Sequence, residues 1–195
     1  VTASTIMGLE TTLDALEGWR WKGRGRDAQL YYVSVFGRPD DKAAWGWRFE
    51  GHHISLNFTI ADGRIVAPTP TFFGANPAEV PLSGVGVVRP LAGVEDLARE
   101  LVSSLDDEGR LRAIVSNRAP SDILTSNQPR VGQPLTPKGL PSSKMDTAER
   151  EVLMALIGEY IHRMPDEIAE VEADRLAQDE TADLYFAWAG GFDRG

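Results

Sequence analysis

One short stretch of the sequence places a base, an acid, an imidazole and two small polar groups close together. These residues are Arg48, Glu50, His53, Ser55 and Asn57. A histidine beside a carboxylate can bind a divalent cation. It can also act in general acid–base catalysis, with a side-chain pKa that neighbouring groups adjust. The stretch therefore predicts Glu50 and His53 as catalytic groups and as ligands of a divalent metal ion. Arg48, Ser55 and Asn57 would bind a small polar substrate.

These residues share one face only if the strand that carries them changes phase near Gly51. Between residues 45 and 60 the apolar residues fall on odd numbers before Gly51 and on even numbers after it. Strand side chains alternate with period two, so the change indicates one inserted residue. A β-bulge at Gly51 would supply it, because glycine tolerates the required backbone angles. The alternative is a tight hairpin with Glu50 and Gly51 as its turn, although glutamate is not a favoured first turn residue.

A metal site built on this stretch alone would be incomplete. Catalytic metal sites generally use three protein ligands, so further ligands must come from elsewhere. Adjacent residues of an extended chain point to opposite faces, so His52 and His53 are not expected to bind one ion together. His52 would lie on the aromatic face as a buried, hydrogen-bonded histidine. The alternative for the whole row is a half-exposed sheet face of ordinary polar residues.

Other motifs that carry chemistry are absent or incomplete in the sequence. Glu159 and His162 have the spacing found in di-iron helix bundles, but that motif must occur twice and occurs once here. No P-loop, nucleophile elbow or complete dinucleotide-binding motif is present. The chain has no cysteine, which excludes disulfides, thiolate chemistry and Cys-ligated metals.

Composition and charge predict a soluble globular protein that does not bind nucleic acid. The chain is 42% apolar and 25% charged, as in ordinary globular proteins. Its net charge of −9 resides in residues 146–183, which hold twelve acidic and three basic residues; this is most simply a solvated helix face. No basic stripe with interleaved aromatic residues is present. No apolar run approaches the ~20 residues of a membrane span, and no signal peptide is expected before the first helix. The compartment and the oligomeric state stay open.

The elements around the central stretch predict an α+β fold. Strands are expected at 30–36, within 45–60 and at 65–73, with an Asp62-Gly63 turn before the last of them. Prolines 68 and 70 cannot donate to a ladder, so that last strand should lie at an edge or be interrupted. The result is an antiparallel β-meander with helices packed on one face, all within a single domain over residues 1–195.

The predicted helices lie at both ends of the chain. Helical spacing of apolar residues indicates a first helix near residues 4–18 and a second near 94–105. A short third helix is capped by Asp106 and extends to Val115. Residues 116–144 form a Pro-rich loop. A further helix begins at Asp146 or Thr147 and is broken at Met164-Pro165, where the next one starts. A last strand is expected at 184–189.

Five segments of the chain resemble a bacterial family known as domain of unknown function 3500. They are YYVSVFG at 31–37, GWRFEGHHISLNFT at 46–59, PTFFGANPAEV at 70–80, RPLAGVEDLARELVSSLD at 89–106 and FAWAGG at 186–191. Members of the family are longer at both ends and continue after the last strand into β segments with a His-x-His stretch. The resemblance implies an interior fragment of a larger domain, with a last strand that lacks its partner and further histidines that join His53.

Two functions are therefore predicted. The first is an enzyme of unknown reaction, with metal-dependent hydrolytic or oxidative chemistry at the His53 and Glu50 site. The alternative is a non-enzymatic structural module whose polar row binds a ligand or a partner.

Overall fold

The computed structural model describes residues 2–16, 29–40, 43–123, 136–178 and 184–193. The chain divides into two compact units, Val1–Leu91 and Ala92–Gly195. Helices and mainly antiparallel strands make up the described parts, which confirms the α+β class. The single domain over residues 1–195 stays a prediction. None of the described helices is long and apolar enough to cross a membrane.

The first unit contains one helix and seven strands among its described residues. They are α1 (Thr2–Leu16), β1 (Tyr32–Phe36), β2 (Trp45–Glu50), β3 (Ile54–Ala61), β4 (Arg64–Ala67), β5 (Thr71–Phe73), β6 (Val80–Leu82) and β7 (Gly86–Val88). The second unit contains α2 (Ala92–Ser104), α3 (Asp107–Ala113), β8 (Ile114–Ser116), β9 (Leu140–Pro141), a 3₁₀ helix (Ser142–Lys144), α4 (Thr147–Ile161), α5 (Asp166–Gln178), β10 (Tyr185–Phe186) and β11 (Trp188–Ala189).

The main sheet of the first unit is the predicted antiparallel meander. Its strand order is β1-β2-β3-β4, and β5 also pairs with β3. β4 and β5 pair with successive parts of β3, so the chain leaves the sheet between them at residues 68–70. This confirms the predicted interruption, since Pro68 and Pro70 have no N–H to donate. Asp62 and Gly63 both have positive φ angles, 51° and 69°, as the predicted hairpin turn requires.

The β-bulge predicted at Gly51 is wrong, and the hairpin alternative is correct with a shifted turn. β2 ends at Glu50, β3 begins at Ile54, and Arg48 faces Asn57 across the pair. The chain reverses over residues 51–53, and the Gly51 N–H donates to the Ile54 carbonyl at 2.9 Å. In this register every odd-numbered residue of β2 faces an even-numbered residue of β3. The reversal itself therefore places both apolar sets on one face, and no inserted residue is needed.

The aromatic face of the hairpin is packed as the alternation predicts. Trp47 stacks on its cross-strand partner Phe58 with ring centroids 4.4 Å apart. Ile54 and Ile60 are buried. Elsewhere in this unit Leu9 of α1 packs with Val80 and its neighbours on β6 and β7. β6 and β7 form a small hairpin for which the sequence predicts no strands, because strands of three residues carry too little alternation to be recognised.

The second unit has its own core between helices and short strands. The buried members of this core lie on α2 and α3, on the β9–β10 pair and on α4, with Leu105 and Met145 beside them: Leu101, Val102, Leu105, Ala113, Leu140, Met145, Leu153 and Phe186. Asp106 caps α3 by accepting from the Gly109 N–H at 2.7 Å, as predicted. Asp146 caps α4 in a reciprocal capping box with Glu149, which decides between Asp146 and Thr147.

Two expectations for the second unit need correction. The last strand does not lack a partner: β10 pairs antiparallel with β9, and β11 pairs parallel with β8. The resemblance implies a partner among the β segments that follow the last strand in the family. The observed partners, β8 and β9, precede that strand in the sequence. The helix capped by Asp106 ends at Ala113 rather than Val115, because Ile114 already belongs to β8. The end of the Pro-rich stretch forms β9 and the 3₁₀ helix, and its residues 124–135 lie outside the described parts.

Replacing Leu101 by alanine tests this second core. Leu101 is fully buried, with 0% exposure, so we expect L101A to lower the free energy of unfolding by about 2–5 kcal/mol. Urea denaturation followed by circular dichroism measures it. Leu111→Ala is the matched control, since Leu111 is 82% exposed; it should change the value by less than about 0.5 kcal/mol. Equal losses in the two variants would contradict the assignment of this core.

Candidate functional site

A buried carboxylate on α1 joins three parts of the first unit. Glu10 is only 2% exposed. Its Oε2 accepts a hydrogen bond from the Tyr31 hydroxyl at 2.7 Å, and its Oε1 lies 2.9 Å from His53 Nδ1. A buried carboxylate is costly unless it is paired and hydrogen-bonded. Oε2 is hydrogen-bonded and Oε1 is paired with the imidazole, and the helix is thereby tied to the hairpin turn and to the residue before β1.

Tyr31 reaches Glu10 because of its place beside the hairpin turn. It directly precedes β1, whose first residue Tyr32 faces Glu50. Its ring stacks on Phe49, with centroids 5.5 Å apart. A Cβ at Gly51 would overlap the Tyr31 ring at Cδ1. Glycine at position 51 therefore provides the space that the Tyr31 ring occupies.

His53 is held at its backbone as well as at its ring. Its N–H donates to the Tyr31 hydroxyl oxygen at 3.4 Å, and its carbonyl accepts from the Gly74 N–H at 2.8 Å. The His53 side chain is 15% exposed. A Cβ at Gly74 would come within 3.3 Å of the ring carbon Cδ2. The imidazole is thus fixed in position but still reached by solvent at one side.

The expectation of a buried His52 is wrong. His52 is exposed, while its neighbour His53 contacts the buried carboxylate. Their rings lie side by side, with centroids 4.3 Å apart. Both residues belong to the turn, so the strict alternation of an extended strand does not apply to them.

The environment of Tyr31 favours its neutral form. Burial raises the pKa of the Tyr31 phenol well above its ordinary value of 10, and the hydrogen bond to Glu10 and the negative charge of Glu10 raise it further. The hydrogen bond that the phenol oxygen accepts from the His53 N–H lowers the pKa in part. The phenol is therefore a permanent donor to Glu10 at neutral pH.

The contact with Glu10 also determines which ring nitrogen of His53 is available to bind a ligand. A carboxylate at Nδ1 favours the tautomer that carries its proton there, and so it leaves Nε2 as the basic nitrogen. The same arrangement orients histidines in catalytic triads and at metal centres. The arrangement suits proton exchange or metal coordination at Nε2.

Four of the five residues of the predicted polar row lie on one face of the hairpin, whereas His53 lies in its turn. Arg48 is opposite Asn57 and Glu50 is opposite Ser55. Arg48 and Glu50 form an ion pair at 2.7 Å, with both side chains a little over one third exposed, 36% and 37%. Asn57 donates to Ser55 Oγ at 3.2 Å and to the Pro70 carbonyl at 2.8 Å. The carboxylate that meets His53 is Glu10, whereas Glu50 meets Arg48.

Glu10 and Tyr31 are the site residues that sequence reasoning missed. A signal for Glu10 was available: it follows Ile6 by four residues and adjoins Leu9, so it borders the apolar stripe of α1. An acid at such a position is seldom buried without a partner. Nothing local pointed to Tyr31, because its role depends on the space at Gly51.

The metal-binding role of Glu50 and His53 stays a prediction. In the described parts of the chain, no group of three or more histidine and acidic side chains is placed to hold a metal ion. The substrate-binding roles of Arg48, Ser55 and Asn57 stay predictions as well.

The fold and the site together define an α+β protein with a buried carboxylate–tyrosine–histidine cluster. The chain belongs to the family described as protein of unknown function DUF3500, whose family model matches residues 1–195. This confirms the resemblance drawn from the five sequence segments. No curated protein and no solved structure gives a significant match to the chain.

An alkaline titration tests the environment of Tyr31. Its pKa lies above 10 in the folded protein, so above pH 10 the unfolded chain loses this proton more readily than the folded one. The stability that Tyr31 contributes is therefore complete below pH 10 and declines as the pH rises further. The tyrosinate absorbance of the protein minus that of Tyr31→Phe should give a midpoint above 10. A midpoint at or below 10 would contradict the buried hydrogen bond.

Substituting Gly51 tests the fit of the Tyr31 ring. We expect Gly51→Ala to lower the free energy of unfolding by about 1–3 kcal/mol, because the new methyl group would overlap the ring. Gly8→Ala is the control: Gly8 lies in α1 with nothing within 4 Å of a new Cβ, and alanine there should stabilise by up to about 1 kcal/mol. In a Tyr31→Ala background the cost of Gly51→Ala should fall. An undiminished cost would show that the overlap is not its cause.

Proposed function

We propose that this chain carries an enzyme site in which the His53 imidazole is the reacting group and Glu10 is the residue that positions it. The single observation that carries the proposal is the 2.9 Å contact between His53 Nδ1 and a carboxylate that is 2% exposed. The chemistry proposed is metal-dependent and either hydrolytic or oxidative, and the substrate is a small polar molecule.

The proposal follows from what Glu10 does to the ring. It holds Nδ1, stabilises an imidazolium when one forms, and turns Nε2 toward a ligand. Tyr31 occupies the second oxygen of Glu10 at 2.7 Å, so the carboxylate cannot rotate away from the ring without losing a hydrogen bond. His53 thereby has a fixed direction, which both a metal ligand and a general base need.

A divalent ion held by Nε2 would polarise the substrate or lower the pKa of a bound water. We propose Glu50 as a further ligand or acid–base group, because its carboxylate is 37% exposed and lies on the hairpin that carries His53. Arg48, Ser55 and Asn57 would orient the substrate from the same face of the hairpin. A further protein ligand would complete the site, with water and substrate oxygen atoms at the other positions.

A second candidate is a non-enzymatic module that binds a small polar ligand on that face. The half-exposed Arg48–Glu50 ion pair, with Asn57 across from it, favours this function. A ligand carboxylate would compete with Glu50 for the guanidinium. In this case binding would depend on Arg48 and not on His53.

Metal titration of variants separates these functions. With Zn²⁺ or Mn²⁺ in calorimetry, we expect the unmodified chain to bind one ion. His53→Ala should abolish binding, and Glu10→Gln should weaken it by about 10–100-fold through loss of ring orientation. His52→Ala is the matched control, since His52 is the exposed neighbour; it should bind as the unmodified chain does. Circular dichroism confirms that each variant is folded.

Two outcomes would count against the enzyme proposal. The metal-dependent part is wrong if the chain binds neither ion, or if His52→Ala and His53→Ala weaken binding equally. The binding module is favoured instead if small carboxylates shift the NMR signals of residues on β2 and β3, if Arg48→Gln removes the shifts, and if His53→Ala leaves them unchanged.

A further inference from the structure

The first strand of the main sheet presents an unusually apolar edge. β1 is the terminal strand in the order β1-β2-β3-β4, and within the described chain it pairs only with β2. Four of its five side chains are apolar or aromatic and between 52% and 67% exposed: Tyr32, Val33, Val35 and Phe36. Proteins usually protect such an edge with a charge, a proline or a bulge, and residues 32–36 contain no charge and no proline.

The sequence of β1 is symmetric about its centre. It reads aromatic, valine, serine, valine, aromatic, from Tyr32 to Phe36 with Ser34 in the middle. If two copies of this strand pair antiparallel about Ser34, each valine faces a valine and each aromatic residue faces an aromatic residue. Such cross-strand pairs are the favourable ones in sheets, and a two-fold axis through Ser34 satisfies both copies at once.

We infer that β1 is an interaction surface whose partner is a second copy of this chain, bound by antiparallel β1–β1 pairing centred on Ser34. The pairing would join two sheets into one continuous sheet across the dimer. Main-chain hydrogen bonds along the edge supply the attraction, and the four apolar side chains of each copy fix the register.

The charge distribution favours a copy of the chain as the occupant. Residues 1–91 hold nine acidic and nine basic residues, so the unit that carries β1 has a formal charge of zero although the whole chain has −9. Two such units meet without a large net repulsion. In the register centred on Ser34, Arg38 falls opposite Leu30 of the other copy, so no like charges face each other directly near the pairing.

The size of the contact sets its strength. One pair of five-residue strands buries far less than the ~1,200–2,000 Å² of a stable interface. We therefore expect a reversible dimer that dissociates on dilution, rather than a permanent one.

Sedimentation velocity over a range of concentrations tests the surface. The unmodified chain should shift from monomer toward dimer as its concentration rises, and Val33→Lys should remain monomeric. Val87→Lys is the matched control, since Val87 is another exposed strand valine of the same unit, 62% exposed; it should dimerise as the unmodified chain does. A chain that stays monomeric throughout, or a dimer that Val33→Lys leaves intact, overturns the inference.

Cysteine cross-linking tests the register. The chain has no cysteine of its own, so Ser34→Cys introduces a single thiol that would face its own copy across the axis. Under mild oxidation it should form a disulfide-linked dimer faster than Val87→Cys does. Mixing Val33→Cys with Val35→Cys should cross-link faster than either variant alone, since these positions face each other in the proposed register. Equal rates in all cases would show collision without specific pairing and would overturn the register.

Discussion

The buried carboxylate of Glu10 is the constraint on which the first unit depends. A carboxyl group that is 2% exposed is tolerated only if its oxygens are engaged. One oxygen accepts from Tyr31 and the other meets His53. These contacts join α1, the start of β1 and the turn of the β2–β3 hairpin. Loss of Glu10, Tyr31 or His53 would leave a buried polar group of this cluster uncompensated, so helix, strand and turn are bound to a common geometry.

The same constraint links stability to chemistry. Tyr31 is kept neutral by burial and by the carboxylate, which raises its pKa, so it remains a donor and keeps Glu10 in place. His53 then has its ring direction set by Glu10 and its backbone set by Tyr31 and Gly74. Small residues at 51 and 74 are part of this arrangement, because a side chain at either position would meet Tyr31 or His53. A site with this degree of fixation is suited to an orientation-dependent role such as metal coordination or proton transfer.

The polar row on β2 and β3 differs from this cluster in character. Arg48 and Glu50 are half-exposed and paired with each other, whereas Glu10 is buried. A surface ion pair contributes little to stability and is easily displaced by a ligand. The hairpin thus carries a rigid group at its turn and an adaptable polar face along its strands. This arrangement agrees with the proposal that His53 is the reacting group and that the polar face of β2 and β3 binds the substrate.

The sequence alone determined the α+β class, the meander, an edge position or interruption of its last strand at Pro68 and Pro70, and the helix cap at Asp106. These features depend on periodicity and local turn chemistry, which act over a few residues. Only the tertiary structure decided the turn at residues 51–53, because an inserted residue and a chain reversal produce the same change of phase. It also decided that the partner of His53 is Glu10, which lies 43 positions earlier, rather than Glu50. Contacts between residues so distant leave no periodic trace, and a carboxylate is recognised as part of a site only once folding has brought it to the ring.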